Sequence, residues 1–309
     1  MIAAFNTVYS KRMHKRGKSF NTVQYLRNKK LLVNKVLLEL FKQNKSTFDI
    51  SKLDSALTHT LHLRGKRIRP IIAIATYELF ASDLKVIARP ACAIELIHAG
   101  SLMLDDLPSM DNASYRRGKK TNHLLHGEST VILASAGLWV KAFDLLSDVK
   151  DDTINALVRD TSRFIGENGL ILGQYLDLFS FDKITTVAQL EYCYELKTAA
   201  LFRLAVRYGS VLGGADKKSI KTLDQFASHL GIAFQIRDDI LDVTETLKES
   251  GKDPNQDQIN KKINYVSLLG IARAKKELTR HINAAKAELN KLPLDCTTLE
   301  GITNQLILE

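Results

Sequence analysis

The chain is expected to fold as a single large all-α bundle, and three features of its sequence predict this. Prolines occur only at positions 70, 90, 108, 254 and 293, leaving long stretches free of helix breakers. Apolar residues recur at three- and four-residue spacing over 31–41, 71–80 and 190–211, the period of a helix. Sustained two-residue alternation, the mark of a half-buried strand, is hard to find.

Taken in order, the pattern predicts helices over 22–44, 70–81, 87–106, 129–147, 151–165, 167–179, 187–212, 217–247 and 265–291. Pro70 and Pro90 sit near the starts of two of these, where a residue without an amide hydrogen is tolerated. The irregular segments are 107–128 and 248–264, rich in charge, Gly, Asn or Pro, and long loops in a compact helical domain are usually functional. Residues 1–20 read as a basic tail and 21–309 as one domain.

Composition narrows the class. Of 309 residues, 45% are hydrophobic and 25% charged, the profile of a globular protein. No unbroken apolar run approaches the roughly 18 residues of a membrane span, so stable membrane insertion is not expected. Three scattered cysteines, Cys92, Cys193 and Cys296, fit neither a disulfide framework nor a metal site and point to a reducing, cytoplasmic compartment. The net charge is +10, and no acidic residue precedes Glu39. Such an N-terminus can be a transit peptide, a nucleic-acid arm or a solvated tail. No aromatic-studded strand or finger accompanies it, so nucleic acid is not an expected partner. A basic protein can equally be one that handles anionic small molecules.

Two acidic clusters carry the chemistry. In LDDLPSMD, Asp105 and Asp106 end an apolar helix, where the helix dipole disfavours negative charge. Pro108 then turns the chain, so that Asp111 can fold back toward Asp105. In GIAFQIRDDILDV, Asp238 and Asp242 share one helical face while Asp239 points about 100° away. Carboxylates crowded in apolar helices carry raised pKa values unless a cation holds them ionised, and hard oxygen ligands are what Mg²⁺ prefers. Basic residues stand close by in sequence. Gly65-Lys66-Arg67-Ile68-Arg69 feeds a helix start, Arg116 and Arg117 follow the first cluster, Lys197 lies beside Thr198 in a helix, and Lys252 and Lys262 follow the second cluster. As a set they suggest two anion sites, one held through metal and one held directly by Lys and Arg.

These stretches, with GKRIRP, RRGKKTNH, GLILGQYLDL, YELKTAALFRLAVRYGS and the segment from Gly251 to Tyr265, resemble the trans-isoprenyl diphosphate synthases of the bacterial farnesyl and geranylgeranyl type over about residues 45 to 280. The resemblance implies an all-α fold around a central cavity, a homodimer, and Mg²⁺ ions, two or three of them, bound with an allylic diphosphate. It implies condensation of isopentenyl diphosphate with dimethylallyl or geranyl diphosphate. By the same resemblance Asp105, Asp111 and Asp238 would ligate Mg²⁺, with Asp106, Asp239 and Asp242 holding its waters or standing behind its ligands. Arg116, Lys197 and Lys252 would contact the allylic diphosphate, and Lys262 would assist substrate binding. Gly65, Lys66, Arg69, His98 and Arg117 would bind isopentenyl diphosphate, and Thr198 and Gln235 would face the developing cation. Leu102, Met103, Ile232, Ala233 and Phe234 are candidates for an apolar shaft.

The chain departs from the family pattern at Leu104, Ala113, Ser114 and Ser135-Ala136. It also carries Gly100 where farnesyl-producing relatives place an aromatic ring. A small residue there would leave the shaft open and favour products of C20 or longer, although a bulky residue from another helix could close it again. The expected product is therefore C15 to C20. A class I terpene cyclase and a non-catalytic subunit of a heteromeric synthase are the alternatives. The second basic set argues against the first, and two intact aspartate motifs argue against the second.

Overall fold

The computed structural model describes residues 20–41, 46–63, 65–149, 152–179, 183–244 and 263–308. Fourteen α-helices are found among them: α1 Thr22–Leu40, α2 Ser51–His62, α3 Ile68–Tyr77, α4 Leu84–Asp105, α5 Asn122–His126, α6 Glu128–Leu146, α7 Thr153–Ile165, α8 Leu170–Phe179, α9 Val187–Tyr194, α10 Ala200–Gly213, α11 Lys217–Thr244, α12 Tyr265–Leu269, α13 Ile271–Leu289 and α14 Thr297–Asn304. Between α9 and α10 a five-residue π-turn, Glu195–Ala199, interrupts the α register. The all-α expectation holds.

Local chemistry sets several of these boundaries. The Asp83 carboxylate accepts from the Lys85 amide and starts α4 seven residues ahead of Pro90. Pro90 therefore lies inside the second turn of the helix, not near its start as the sequence pattern indicated. Thr186 and Gln189 form a reciprocal capping box at α9, and Asn264 and Ser267 form one at α12. The single helix expected over 265–291 is split at Gly270, whose φ of 77° breaks the register between α12 and α13. The segment 107–128 holds a small β element, Tyr115–Arg116 (β1) antiparallel to Lys119–Lys120 (β2). Its turn residues, Arg117 and Gly118, both have positive φ, the combination that matches strand twist in a two-residue hairpin.

The core runs through α3, α4, α10 and α11. Helix α3 is buried from Arg69 to Tyr77 and lies between α4 and α10. Ile71, Ile72, Ile74, Ile94 and Ile97 are wholly removed from solvent, each contributing about 1.5–3 kcal/mol relative to exposure. Buried side chains from Val33 in α1 to Leu306 after α14 belong to one contiguous cluster.

Two helices, α4 and α6, are long and apolar enough to cross a membrane by length and composition, which counting unbroken apolar runs did not register. Within its most apolar window α4 is 72% buried and serves as a core helix. The same measure for α6 is 39%, because Ile132, Leu133 and Val140 face outward.

Candidate active site

The end of α4 and the C-terminal part of α11 face one cavity of about 1140 Å³. Asp105 and Asp111 line it from the end of α4 and the turn that follows, and Asp238 and Asp242 line it from α11. After Asp105 the chain turns back on itself, and the Asp111 amide donates to the Asp105 carbonyl at 2.9 Å, which brings the two carboxylates to the same rim. On α11, the four-residue spacing of Asp238 and Asp242 carries both to the cavity face.

Asp106 and Asp239, expected behind the metal rather than on it, are not among the residues that line the cavity. Asp106 is buried and accepts from the Arg116 Nε at 2.7 Å. Asp239 is 1% exposed and accepts from three donors: the Tyr194 hydroxyl at 2.5 Å, the Gln235 amide at 3.0 Å and the Tyr265 backbone amide at 3.1 Å. Its carboxylate is committed to tying α9, α11 and α12 together. Gln235, thus oriented, accepts from the Thr198 hydroxyl at 2.7 Å through its carbonyl oxygen, and both residues line the cavity.

Thr198 and Lys197 come from the π-turn, a feature common at functional sites. The turn is clasped between two glycines. A Cβ on Gly173 of α8 would lie 2.3 Å from the Lys197 backbone nitrogen, and one on Gly231 of α11 would lie 2.4 Å from the Ala199 Cα. Lys197 donates to Asp177 of α8 at 2.6 Å. Burial works against its charge, but Asp177, Asp105 and Asp111 outweigh burial and hold the ammonium well above the ordinary lysine value. Lys197 thus lies within electrostatic reach of the first carboxylate pair.

The same cavity is lined by Gly65, Lys66, Arg69, His98 and Arg117, and by Arg116 beside Asp106. Arg69 is stacked with its guanidinium carbon 4.7 Å from the Phe202 ring centre, and one of its terminal nitrogens is 3.3 Å from His98 Nε2. Burial pushes the Arg69 pKa down to about 10, against the pull of Glu95 and Asp238. Burial, reinforced by Arg69, Arg117, Arg116 and Arg67, holds His98 well below the usual histidine value, so the imidazole is neutral. Gly65 leaves room for two guanidinium groups, since a Cβ there would fall 2.7 Å from Arg67 Nη1 and 2.9 Å from Arg117 Nη1. Arg67 is committed to the fold. It pairs with buried Glu95 at 2.6 Å and donates to Asn34 at 3.0 Å and to the Leu61 carbonyl.

Three side-chain nitrogens on the cavity-lining residues Arg69, Gln174 and Arg237 are buried and find no hydrogen-bond acceptor among the described residues. Buried donors are rarely left so, and these suit a ligand rich in acceptor oxygens. Gln174, Asp177 and Arg237 were not among the residues singled out from sequence. Gln174 and Asp177 share a face of α8 at three-residue spacing within the noted GLILGQYLDL stretch, which is the signal that could have found them.

Of the expected shaft residues, Leu102 and Phe234 line the cavity, whereas Met103, Ile232 and Ala233 are packed in the core. Gly100 does not open the cavity. Its missing side chain is the space taken by the Trp139 indole, whose Nε1 lies 2.5 Å from where a Cβ would be. Lys252 and Lys262 lie outside the described residues, as do residues 1–19 of the basic tail.

Residues 50–293 match the family model described as polyprenyl synthetase. A farnesyl diphosphate synthase of Geobacillus stearothermophilus is 42% identical over 257 residues, 82% of this chain and 86% of the relative. A geranylgeranyl diphosphate synthase of Cyanophora paradoxa is 36% identical over 276 residues, covering 88% and 91%. Among solved structures, a geranyltransferase from Helicobacter pylori complexed with magnesium and isoprenyl diphosphate superposes with a TM-score of 0.83 at 30% identity, covering 94% of this chain and 98% of that one. With two aspartate pairs lining one cavity and this likeness to known synthases over most of its length, the chain belongs to the polyprenyl synthetase family.

Proposed function

We propose that this protein condenses isopentenyl diphosphate with an allylic diphosphate, dimethylallyl or geranyl, to give farnesyl or geranylgeranyl diphosphate. The chain is a short-chain prenyltransferase. The observation that carries the reading is the gathering of Asp105, Asp111, Asp238 and Asp242 around one cavity that is also lined by Lys66, Arg69, Arg116, Arg117 and Lys197.

The four carboxylates offer hard oxygen donors and fit Mg²⁺, two or three ions in our reading. When bound, magnesium would stabilise the negative charge that develops on the diphosphate as the C–O bond breaks. Lys197, whose charge is held by Asp177, would bind the allylic diphosphate together with Arg116. Lys66, Arg69 and Arg117, with neutral His98 beside them, would bind the diphosphate of the second substrate. Breaking the allylic C–O bond sends its electron pair to diphosphate. The isopentenyl double bond then attacks the cationic carbon, and loss of a proton restores neutrality at the new alkene. Thr198 and Gln235 would turn oxygen dipoles toward that cation, and Leu102 and Phe234 would keep water from it.

The outward apolar stripe of α6, formed by Ile132, Leu133 and Val140, supports a homodimer, because such a face is costly to leave in water. Three buried free cysteines suit a reducing cytoplasm. The deciding experiment measures incorporation of labelled isopentenyl diphosphate with a geranyl diphosphate starter, with and without Mg²⁺. Magnesium-dependent incorporation is expected. A cyclic hydrocarbon formed without isopentenyl diphosphate would instead indicate a cyclase.

A further inference from the structure

Helix α6 is bolted to α4 through two carbonyls one turn apart. The Ser135 hydroxyl donates to the Gly100 carbonyl at 2.9 Å, and the Trp139 indole donates to the Ile97 carbonyl at 3.1 Å. Ser135 and Trp139 are four residues apart and so share one face of α6. Between them the indole drops into the slot left by Gly100. A Cβ there would meet Trp139 Nε1 at 2.5 Å, Trp139 Cδ1 at 2.7 Å and the Ser135 carbonyl at 3.2 Å. Trp139 lines the cavity and Gly100 does not.

Depth follows from helix geometry. Gly100 and Ile97 precede Asp105 by five and eight residues, so the indole spans a band roughly 7 to 12 Å below the carboxylate rim along α4 at 1.5 Å per residue. A prenyl tail whose diphosphate sits at that rim runs down the same wall. The indole is also fixed. Its N–H is committed to a carbonyl of a buried helix, and its edge is wedged against Gly100, so a growing chain cannot swing it aside at small cost. Two departures that looked unrelated in sequence, glycine at 100 and serine at 135, are here two halves of one seat.

We infer that Trp139, seated on Gly100, is the residue that stops chain growth and sets the product at C15. The inference rests on the prenyltransferase reading and adds to it the determinant of product length. The wall that a bulky side chain on α4 could supply comes instead from α6. Removing the indole leaves the seat vacant and lengthens the shaft beneath the metal-binding rim.

The test supplies purified enzyme with geranyl diphosphate, excess isopentenyl diphosphate and Mg²⁺, then separates the dephosphorylated alcohols by chain length. The wild type is expected to give mainly the C15 alcohol. Trp139→Ala is expected to shift most of the product to C20 or longer. Trp139→Leu, which keeps an apolar, helix-favouring side chain, gives the same answer should the alanine variant fold poorly, with a smaller shift. The double variant Trp139→Ala with Gly100→Phe returns bulk to the same space and is expected to restore C15. An active Trp139→Ala or Trp139→Leu with the wild-type product profile overturns the inference and leaves the prenyltransferase reading standing, as does a wild type that already makes mainly C20. A wild type that incorporates no isopentenyl diphosphate overturns both.

Discussion

Gly173 of α8 and Lys197 of the π-turn approach so closely that an added methyl on the glycine would sit 2.3 Å from the lysine backbone nitrogen. The obstacle is main chain, which cannot rotate away. Gly173→Ala is therefore expected to push α8 off the turn and to destabilise the fold by about 1–3 kcal/mol through overpacking. It is also expected to lower kcat, because Lys197 and its partner Asp177 sit on the two elements forced apart. Urea unfolding and steady-state kinetics on the same preparation check this; an alanine variant of native stability and activity would contradict it.

In the proposed reaction Lys197 would answer the charge that forms on the leaving diphosphate. Lys197→Ala is expected to reduce kcat by about 10²–10³-fold, the range seen when one preorganised electrostatic partner is removed. Asp177→Asn is expected to cost less, since it loosens the hold on the lysine but leaves the ammonium in place. The order of the two effects, read as kcat with saturating substrates, is the measurement that matters.

Glu95 and Arg67 form an ion pair in which both side chains are 4% exposed. Removing one partner leaves a buried charge uncompensated, so Glu95→Ala is expected to lower stability by about 3–5 kcal/mol. Equilibrium denaturation reports the loss directly. Replacing both partners with apolar residues of similar volume should recover part of it.

His229 and His281 stand with ring nitrogens 3.2 Å apart in the contact between α11 and α13. Burial depresses the pKa of each. Glu288 opposes this for His229, and the Glu191 hydrogen bond opposes it for His281, while Arg280 adds to the depression of both. The unfolded chain takes up protons on these groups before the native state does. Stability is then full above the ordinary histidine value of 6.5 and falls as pH drops below it. Thermal denaturation between pH 7.5 and 5 is expected to show this decline, and His229→Gln is expected to flatten it.

The outward stripe on α6 predicts assembly through that face. Leu133→Glu together with Val140→Lys is expected to shift the protein toward monomer in sedimentation velocity. Light scattering that finds the wild type monomeric at micromolar concentration would rule the homodimer out.

What the sequence disclosed was the part governed by local periodicity. The four-residue spacing of Asp238 and Asp242 implied a shared face, and the opposed carboxylate sets could be paired before any fold was known. Helix α2, by contrast, escaped notice because only Ala56, Thr60 and Leu61 of its 12 residues are buried, too few to print an apolar period. The π-turn was invisible because apolar spacing runs through 187–212 without a break. Arg67 looked like an anion ligand because its partners Glu95 and Asn34 are distant in sequence. Gly100 left two readings open for the same reason: an empty position on one helix has no meaning until the neighbour that fills it is known.

The π-turn also makes the chain sensitive to length in a way that substitution does not probe. Five residues occupy one wide loop of backbone where an α-helix would use fewer. Deleting a single residue between 195 and 199 would let α9 and α10 fuse into one regular rod, rotating everything before the cut by about 100°. Tyr194 would then swing off Asp239, and the cavity would lose its ammonium and hydroxyl together. An extra residue held in this place is thus a phase marker for the whole barrel of helices, fixing which sides of two consecutive segments look inward.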